Sequence, residues 1–279
     1  VFWPSSTPYE DTGRDLSKLE GNVDRGAYVA RLSGCIACHT DFKKGGKVLA
    51  GGAGISTDFG TFFPPNITPD KADGVGSWSL GEFTAALREG VGKEGQHLFP
   101  SFPFAFYKHM KDQDVVDLWA AVQSVPPETG GRKDHDLAFP FNVRAGVTLW
   151  KKMFFREATL KEVPSRSDGW NRGRYLARGL AHCGACHTPR NILGGRETDQ
   201  RFAGGVGPGK EKIPAITREA LGKNEWSADD FVYALRTGIK PDGDVLGGSM
   251  AEVVKDGTRF WSNSDLNALA EYVFSGDLE

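Results

Sequence analysis

Apolar residues recur along this chain at helical spacing, and they do so twice. Val115, Leu118, Trp119 and Val122 stand at i, i+3, i+4 and i+7, and so do Leu266, Leu269, Ala270 and Val273. Each set defines the buried stripe of an amphipathic helix. Upstream, Phe83, Ala86 and Leu87 share one face, as do Phe231, Ala234 and Leu235. The first group follows Ser79 with Glu82 three residues later, a capping box, and Gly90 is placed to end the helix. The second group repeats the scheme with Ser227, Asp230 and Gly238. No stretch shows a sustained alternation of apolar and polar residues, the mark of a half-buried strand. The pattern predicts an all-α protein of short helices joined by Gly- and Pro-rich loops.

The matching runs beyond the helices. Arg25-Gly26-Ala27-Tyr28-Val29-Ala30-Arg31 aligns with Arg172-Gly173-Arg174-Tyr175-Leu176-Ala177-Arg178. Pro65-Asn66-Ile67-Thr68 aligns with Pro214-Ala215-Ile216-Thr217, and Trp78-Ser79 with Trp226-Ser227. Self-similarity of this kind marks an internal duplication. It predicts an N-terminal extension at 1–20, a first domain at 21–130, a linker at 131–168 and a second domain at 169–279. The linker carries eight Lys/Arg against five Asp/Glu. Trp150, Phe154 and Phe155 within it mark an ordered segment that packs on the domains; docking of an acidic partner is the competing reading.

The repeat gives the cysteines their meaning. All four fall in two copies of one pattern, Cys35-Ile-Ala-Cys38-His39 and Cys183-Gly-Ala-Cys186-His187. C-x-x-C-H is the attachment signature of c-type haem. Two thiols three residues apart on a helical turn reach both vinyl groups of a porphyrin, and the next imidazole meets the iron. A redox dithiol would follow a strand, and a zinc site built from both motifs would leave the repeat unexplained. The sequence therefore predicts two covalently bound haem c groups, with His39 and His187 as proximal ligands. No cysteine is left for a disulfide or a catalytic thiolate.

Charge and hydropathy narrow the class. The formal net charge is −2, which gives no reason to expect nucleic-acid binding. No run of about 18 apolar residues exists, so no membrane span is expected. The stretch VFWPSSTPYED lacks the basic start and long apolar run of a signal peptide. Covalent haem nevertheless suits an exported, periplasmic protein.

The distal side is where the repeats part. Iron in electron-transfer cytochromes commonly takes Met, which raises the potential. The chain has three methionines, and Met250 lies in Gly247-Gly248-Ser249-Met250, on an expected loop before the last helix. Trp226 and Met250 are 24 residues apart, and the same count from Trp78 reaches Phe102. The position equivalent to Met250 thus carries no ligand. Three readings stay open for the first iron: Met110, His109, or an open site. Arg88 and Arg236 match across the repeat as candidate partners of haem propionates. Trp78 and Trp226 match as candidates to pack on the haem edge. His97, His135 and His182 read as surface or loop histidines.

The whole chain resembles dihaem relatives of the cytochrome c subunits of bacterial membrane-bound alcohol and gluconate dehydrogenases. The segments that carry the likeness are FGTFFPPNITPD, WSLGEFTAALREGV, FPSFPFAFYKHMKDQDV, WNRGRYLARGLAHCGACHTPRN and PDGDVLGGSMAEVV. The resemblance implies two tandem class I cytochrome c domains, and a carbonyl from the Pro64-Pro65 and Pro214 loops behind each proximal histidine. Many of those subunits read P-x-M-P-Y where this chain has Pro100-Ser101-Phe102-Pro103-Phe104. A related dihaem branch has Phe there and Met eight residues on, which implies Met110 as the ligand. Members often carry three haems and a membrane-anchoring tail. Two haem motifs and no such tail before Glu279 make direct quinone chemistry unexpected here. The function implied is a periplasmic electron carrier between a dehydrogenase and a downstream cytochrome or oxidase. The alternative is a dihaem peroxidase or oxidase with an open first iron and His97 or His109 as distal acid/base.

Overall fold

The computed structural model describes residues 15–155, 158–207 and 210–278. Most of the expected N-terminal extension, residues 1–14, lies outside them. The chain divides into two compact units. One holds the described residues up to Ala30 and Cys38–Ala158; the other holds Arg31–Ala37 and Thr159 onward.

The protein is mostly helical, as the periodicity predicts. Helices α1 (Val23–Leu32), α2 (Cys35–His39), α3 (Leu80–Glu89), α4 (Phe104–Tyr107), α5 (Asp112–Ser124) and α6 (Ala145–Phe154) come first. They are followed by α7 (Asp168–Tyr175), α8 (Arg218–Lys223), α9 (Ala228–Thr237), α10 (Gly248–Asp256) and α11 (Asn263–Ser275). The capping boxes form on α3 and α9: Ser79 accepts from the Glu82 amide and Ser227 from the Asp230 amide, each with the reciprocal bond. Gly90 and Gly238 end these helices in left-handed conformation, at φ 60° and 83°.

Small sheets add to the all-α expectation. Strands β1 (Ile55–Thr57), β2 (Gly60–Phe62) and β3 (Asp136–Leu137) pair antiparallel in that order. Strands β4 (Gly205–Val206) and β5 (Lys212–Ile213) pair likewise. Segments of two or three residues are too short to show a period-two pattern.

Within each unit, the helix leading to a CxxCH motif meets a later long helix, α5 or α11, at one glycine. A Cβ on Gly26 would lie 1.8 Å from the Asp117 carbonyl oxygen, and one on Gly173 1.9 Å from that of Ala268. An arginine beside each glycine locks the crossing. Arg25 holds Asp117 with Nε at 2.7 Å and Nη2 at 3.0 Å. Arg172 holds Asp265 at 2.8 and 2.9 Å. Counted from the starts of α5 and α11, Asp265 corresponds to Asp114, so the first pair sits about one turn further along its helix.

The 131–168 segment is ordered where it is described. β3 extends the β1–β2 sheet, and α6 buries Val147 against Phe62 and Phe99. Two of the segment's cations are used inside the unit. Arg144 donates to the His97 carbonyl at 2.8 Å, and Lys151 is buried.

Candidate haem sites

Each CxxCH motif sits at the start of the same local frame. His39 Nδ1 lies 2.7 Å from the Pro65 carbonyl oxygen, and His187 Nδ1 lies 2.8 Å from that of Pro214. Burial holds both imidazoles below the ordinary histidine range, and the bond to the carbonyl opposes this only in part. A neutral ring donating from Nδ1 presents its Nε2 lone pair to a metal. The residue after each histidine is a buried threonine. Thr40 Oγ1 accepts from the Leu49 amide at 3.1 Å, and Thr188 Oγ1 from the Phe202 amide at 3.2 Å. Leu49 and Phe202 both stand in left-handed backbone, at φ 63° and 62°. The amides of Gly51 and Gly204 then close onto the carbonyls of His39 and His187 at 3.0 and 2.9 Å. Sequence reasoning missed these threonines, although Cys-His-Thr in both motifs was a visible signal.

The donor set fits haem c better than the alternatives. None of Cys35, Cys38, Cys183 and Cys186 is in a disulfide, and Cys38 and Cys186 are exposed. Burial pushes the Cys183 thiol up to about 12, unlike the activated thiol of a redox dithiol. Among the described residues no three His, Cys, Asp or Glu side chains converge as a metal-ion site.

The two distal sides differ. Met250 stands in the first turn of α10, half-buried, not on the expected loop. Gly248 takes the left-handed turn at φ 56°, and Glu211 then accepts from Ser249 Oγ at 2.7 Å and its amide at 3.2 Å. A carboxylate at a helix start is favourable, and the Ala, Glu and Lys that follow are good helix formers. At the first site Phe102 is half-buried and packs edge-on against Tyr107, with centroids 5.5 Å apart. Met110 is 2% exposed, just before Lys111, the N-cap of α5. The residue in that place before α11 is Trp261, 4% exposed. Of two corresponding positions, the second unit puts methionine at the first and the first unit puts it at the second.

Arg88 and Arg236, expected at haem propionates, each make hydrogen bonds to the chain itself, and Arg88 Nε is left buried without a partner. Arg88 Nη2 donates to the Met110 carbonyl and to Asp112 Oδ1, both at 2.7 Å. Arg236 donates to the Arg259 carbonyl at 2.6 Å and to Asn263 Oδ1 at 2.8 Å. Both anchor the segment that enters the last helix. Trp78 and Trp226 are half-buried directly before the caps of α3 and α9.

The four histidines outside the CxxCH motifs are engaged. His97 Nδ1 contacts Lys151 Nζ at 3.0 Å, and burial together with this cation lowers the His97 pKa. His135 Nδ1 accepts from the Phe63 amide at 3.2 Å. His109 is 4% exposed. His182, directly before Cys183, holds left-handed backbone at φ 44°.

Two CxxCH turns, each with its histidine oriented from behind by a proline carbonyl, define a dihaem c-type cytochrome. No family model matches the chain. It is similar to a diheme cytochrome c-type protein of Cereibacter sphaeroides, 41% identical over 259 residues, or 91% of this chain and 86% of that one. It is 37% identical over 265 residues to the cytochrome c subunit of an alcohol dehydrogenase (quinone) of Gluconobacter oxydans, covering 92% of this chain and 55% of that one. The fructose dehydrogenase cytochrome subunit of Gluconobacter japonicus is 36% identical over 261 residues, 91% and 52% of the two chains. The chain thus spans about half the length of these two dehydrogenase subunits. It belongs to the dihaem c-type cytochromes, and it carries two covalently bound haem c groups.

Proposed function

We propose that the chain is two tandem class I cytochrome c domains, near 21–130 and 169–279, that arose by duplication and are joined by the 131–168 segment. It passes single electrons in the periplasm from a dehydrogenase to a downstream cytochrome or oxidase. The observation that carries this reading is the shared proximal frame, in which proline carbonyls hold His39 and His187 alike. Haem supplies the one-electron chemistry; the protein sets the axial ligands, their orientation and their burial. Met250 is the distal ligand of the second iron and Met110 that of the first. Support for Met110 is its burial and the fixing of its carbonyl by Arg88. Redox protein partners fit this reading, since the similar subunits belong to dehydrogenases. Among the described residues no helix is long and apolar enough to cross a membrane.

The peroxidase reading rests on Phe102 and needs a distal acid/base. His97, one of its two candidates, is already bound to Lys151 through Nδ1. The test is the far-red methionine-to-ferric-iron absorbance of the oxidised protein, measured per haem. We expect two methionine-ligated haems in wild type and one in Met110→Ala. One such haem in wild type, unchanged in the variant, would remove Met110 from the site and revive the open-iron reading.

A further inference from the structure

The linker segment does more than connect. Lys151 on α6 is 9% exposed, and its ammonium group enters the last turn of α3. It donates to the carbonyls of Glu89 and Gly90, the latter at 3.0 Å, and meets His97 Nδ1 at 3.0 Å. Three acceptors thus use all three of its protons. The Phe104 ring lies 4.9 Å from the same nitrogen. About two turns earlier, at the N-cap of α6, Arg144 takes the His97 carbonyl at 2.8 Å and stacks over Phe99 at 4.5 Å. These contacts converge on the segment from His97 to Phe104 and on the α3 turn that presents Arg88 to Met110.

We propose that Lys151 is a positioning residue for the first haem: it ties α6 to the α3 end and to the distal segment, and its proton holds that side in place. The inference rests on the reading of Met110 as the first distal ligand. A neutral amine has two protons for three acceptors, so either one contact gives or His97 switches tautomer to donate from Nδ1, and the carbonyl bonds lose their charge assistance in both cases. The charged form is favoured by the negative end of α3 and by the Phe104 face. Burial opposes it, lowering the amine to about 8, with Glu89 acting against the shift. The other charged groups on this side are His97 on the distal segment, Arg144 on α6, and Lys108, which shares the Phe155 ring with Lys151. Burial and the Lys151 cation lower the His97 pKa, so within this contact Lys151 carries the charge that is lost as pH rises through about 8.

The experiment compares wild type, Lys151→Arg and Lys151→Met from pH 6 to 10, following the methionine–iron absorbance and both midpoint potentials. The second haem is the internal control. Wild type should lose or shift the first-haem signal with a midpoint near 8. Lys151→Arg cannot titrate there and should keep the signal flat. Lys151→Met should weaken the first-haem signal at every pH and leave the second unchanged. The same transition in Lys151→Arg, or a wild-type profile in Lys151→Met, would overturn the proposal while leaving Met110 as ligand. If Lys151→Met fails to fold, the arginine variant alone decides. Absence of a first-haem methionine signal in wild type at any pH sinks the ligand reading, and this inference with it.

Discussion

At the scale of single residues, the best-connected charge in the first unit is Asp117. Its side chain is 1% exposed and accepts from the Asn22 amide at 2.7 Å, from Arg25 twice, and from Gln113 at 2.9 Å. Burial works to raise its pKa, but Arg25, Asn22 and Gln113 together outweigh burial, so it titrates below the ordinary 3.8. Its stabilising effect is therefore present above that value and is lost as pH falls through the lowered pKa. Arg25 is half exposed and regains water when unpaired, so the loss in Asp117→Ala should be about 2 kcal/mol rather than that of a fully buried pair. Denaturant unfolding of the haem-loaded protein at pH 7 measures it. The gap between wild type and variant should narrow in the most acidic buffers, and a gap independent of pH would refute the assignment.

At the scale of elements, glycines with opposite roles give opposite predictions. Gly173 lets α7 meet α11 backbone to backbone; a methyl there strikes the Ala268 carbonyl at 1.9 Å and Tyr272 Cβ at 2.8 Å. Neither can move without parting the helices, so Gly173→Ala should cost about 3 kcal/mol. Gly146 on α6 has nothing within 4 Å of its ideal Cβ. Gly146→Ala should stabilise by roughly 0.5–1 kcal/mol through helix propensity. Thermal melting of the two variants should move in opposite directions. This scale is also where the sequence was most legible. Periodicity and caps placed α3, α5, α9 and α11, because long amphipathic runs carry their own signal. The left-handed Leu49 and Phe202 could not be foreseen, since neither residue type favours that conformation. They are held there by threonine hydroxyls nine and fourteen residues away. The anchoring by Arg88 and Arg236 was equally hidden, because which acceptor a helix-end arginine meets depends on how the next loop folds.

At the scale of the whole molecule, the two sites pair one proximal design with two distal ones. The two proximal histidines make the same bond to a proline carbonyl, although Cys35–His39 is an α-helical turn and Cys183–Ala185 a 3-10 turn. The larger contrast between the sites is distal, and a difference between the two potentials is expected to follow it. On the proposed ligation, Met250 comes from the start of a helix whose cap region is tied to Glu211, and Met110 from a buried turn whose carbonyl is tied to Arg88. A redox titration should therefore resolve two one-electron steps. Met250→His replaces a thioether, which favours ferrous iron, by an imidazole, which does not. It should lower one step by on the order of 100 mV, well within the range axial ligands span. The other step should stay fixed if the two sites tune their potentials separately. A variant in which both steps fall together would mean that the irons are strongly coupled or that Met250 supports both sites. A variant in which neither falls would exclude Met250 as a ligand, and the second distal position would have to be sought on another residue.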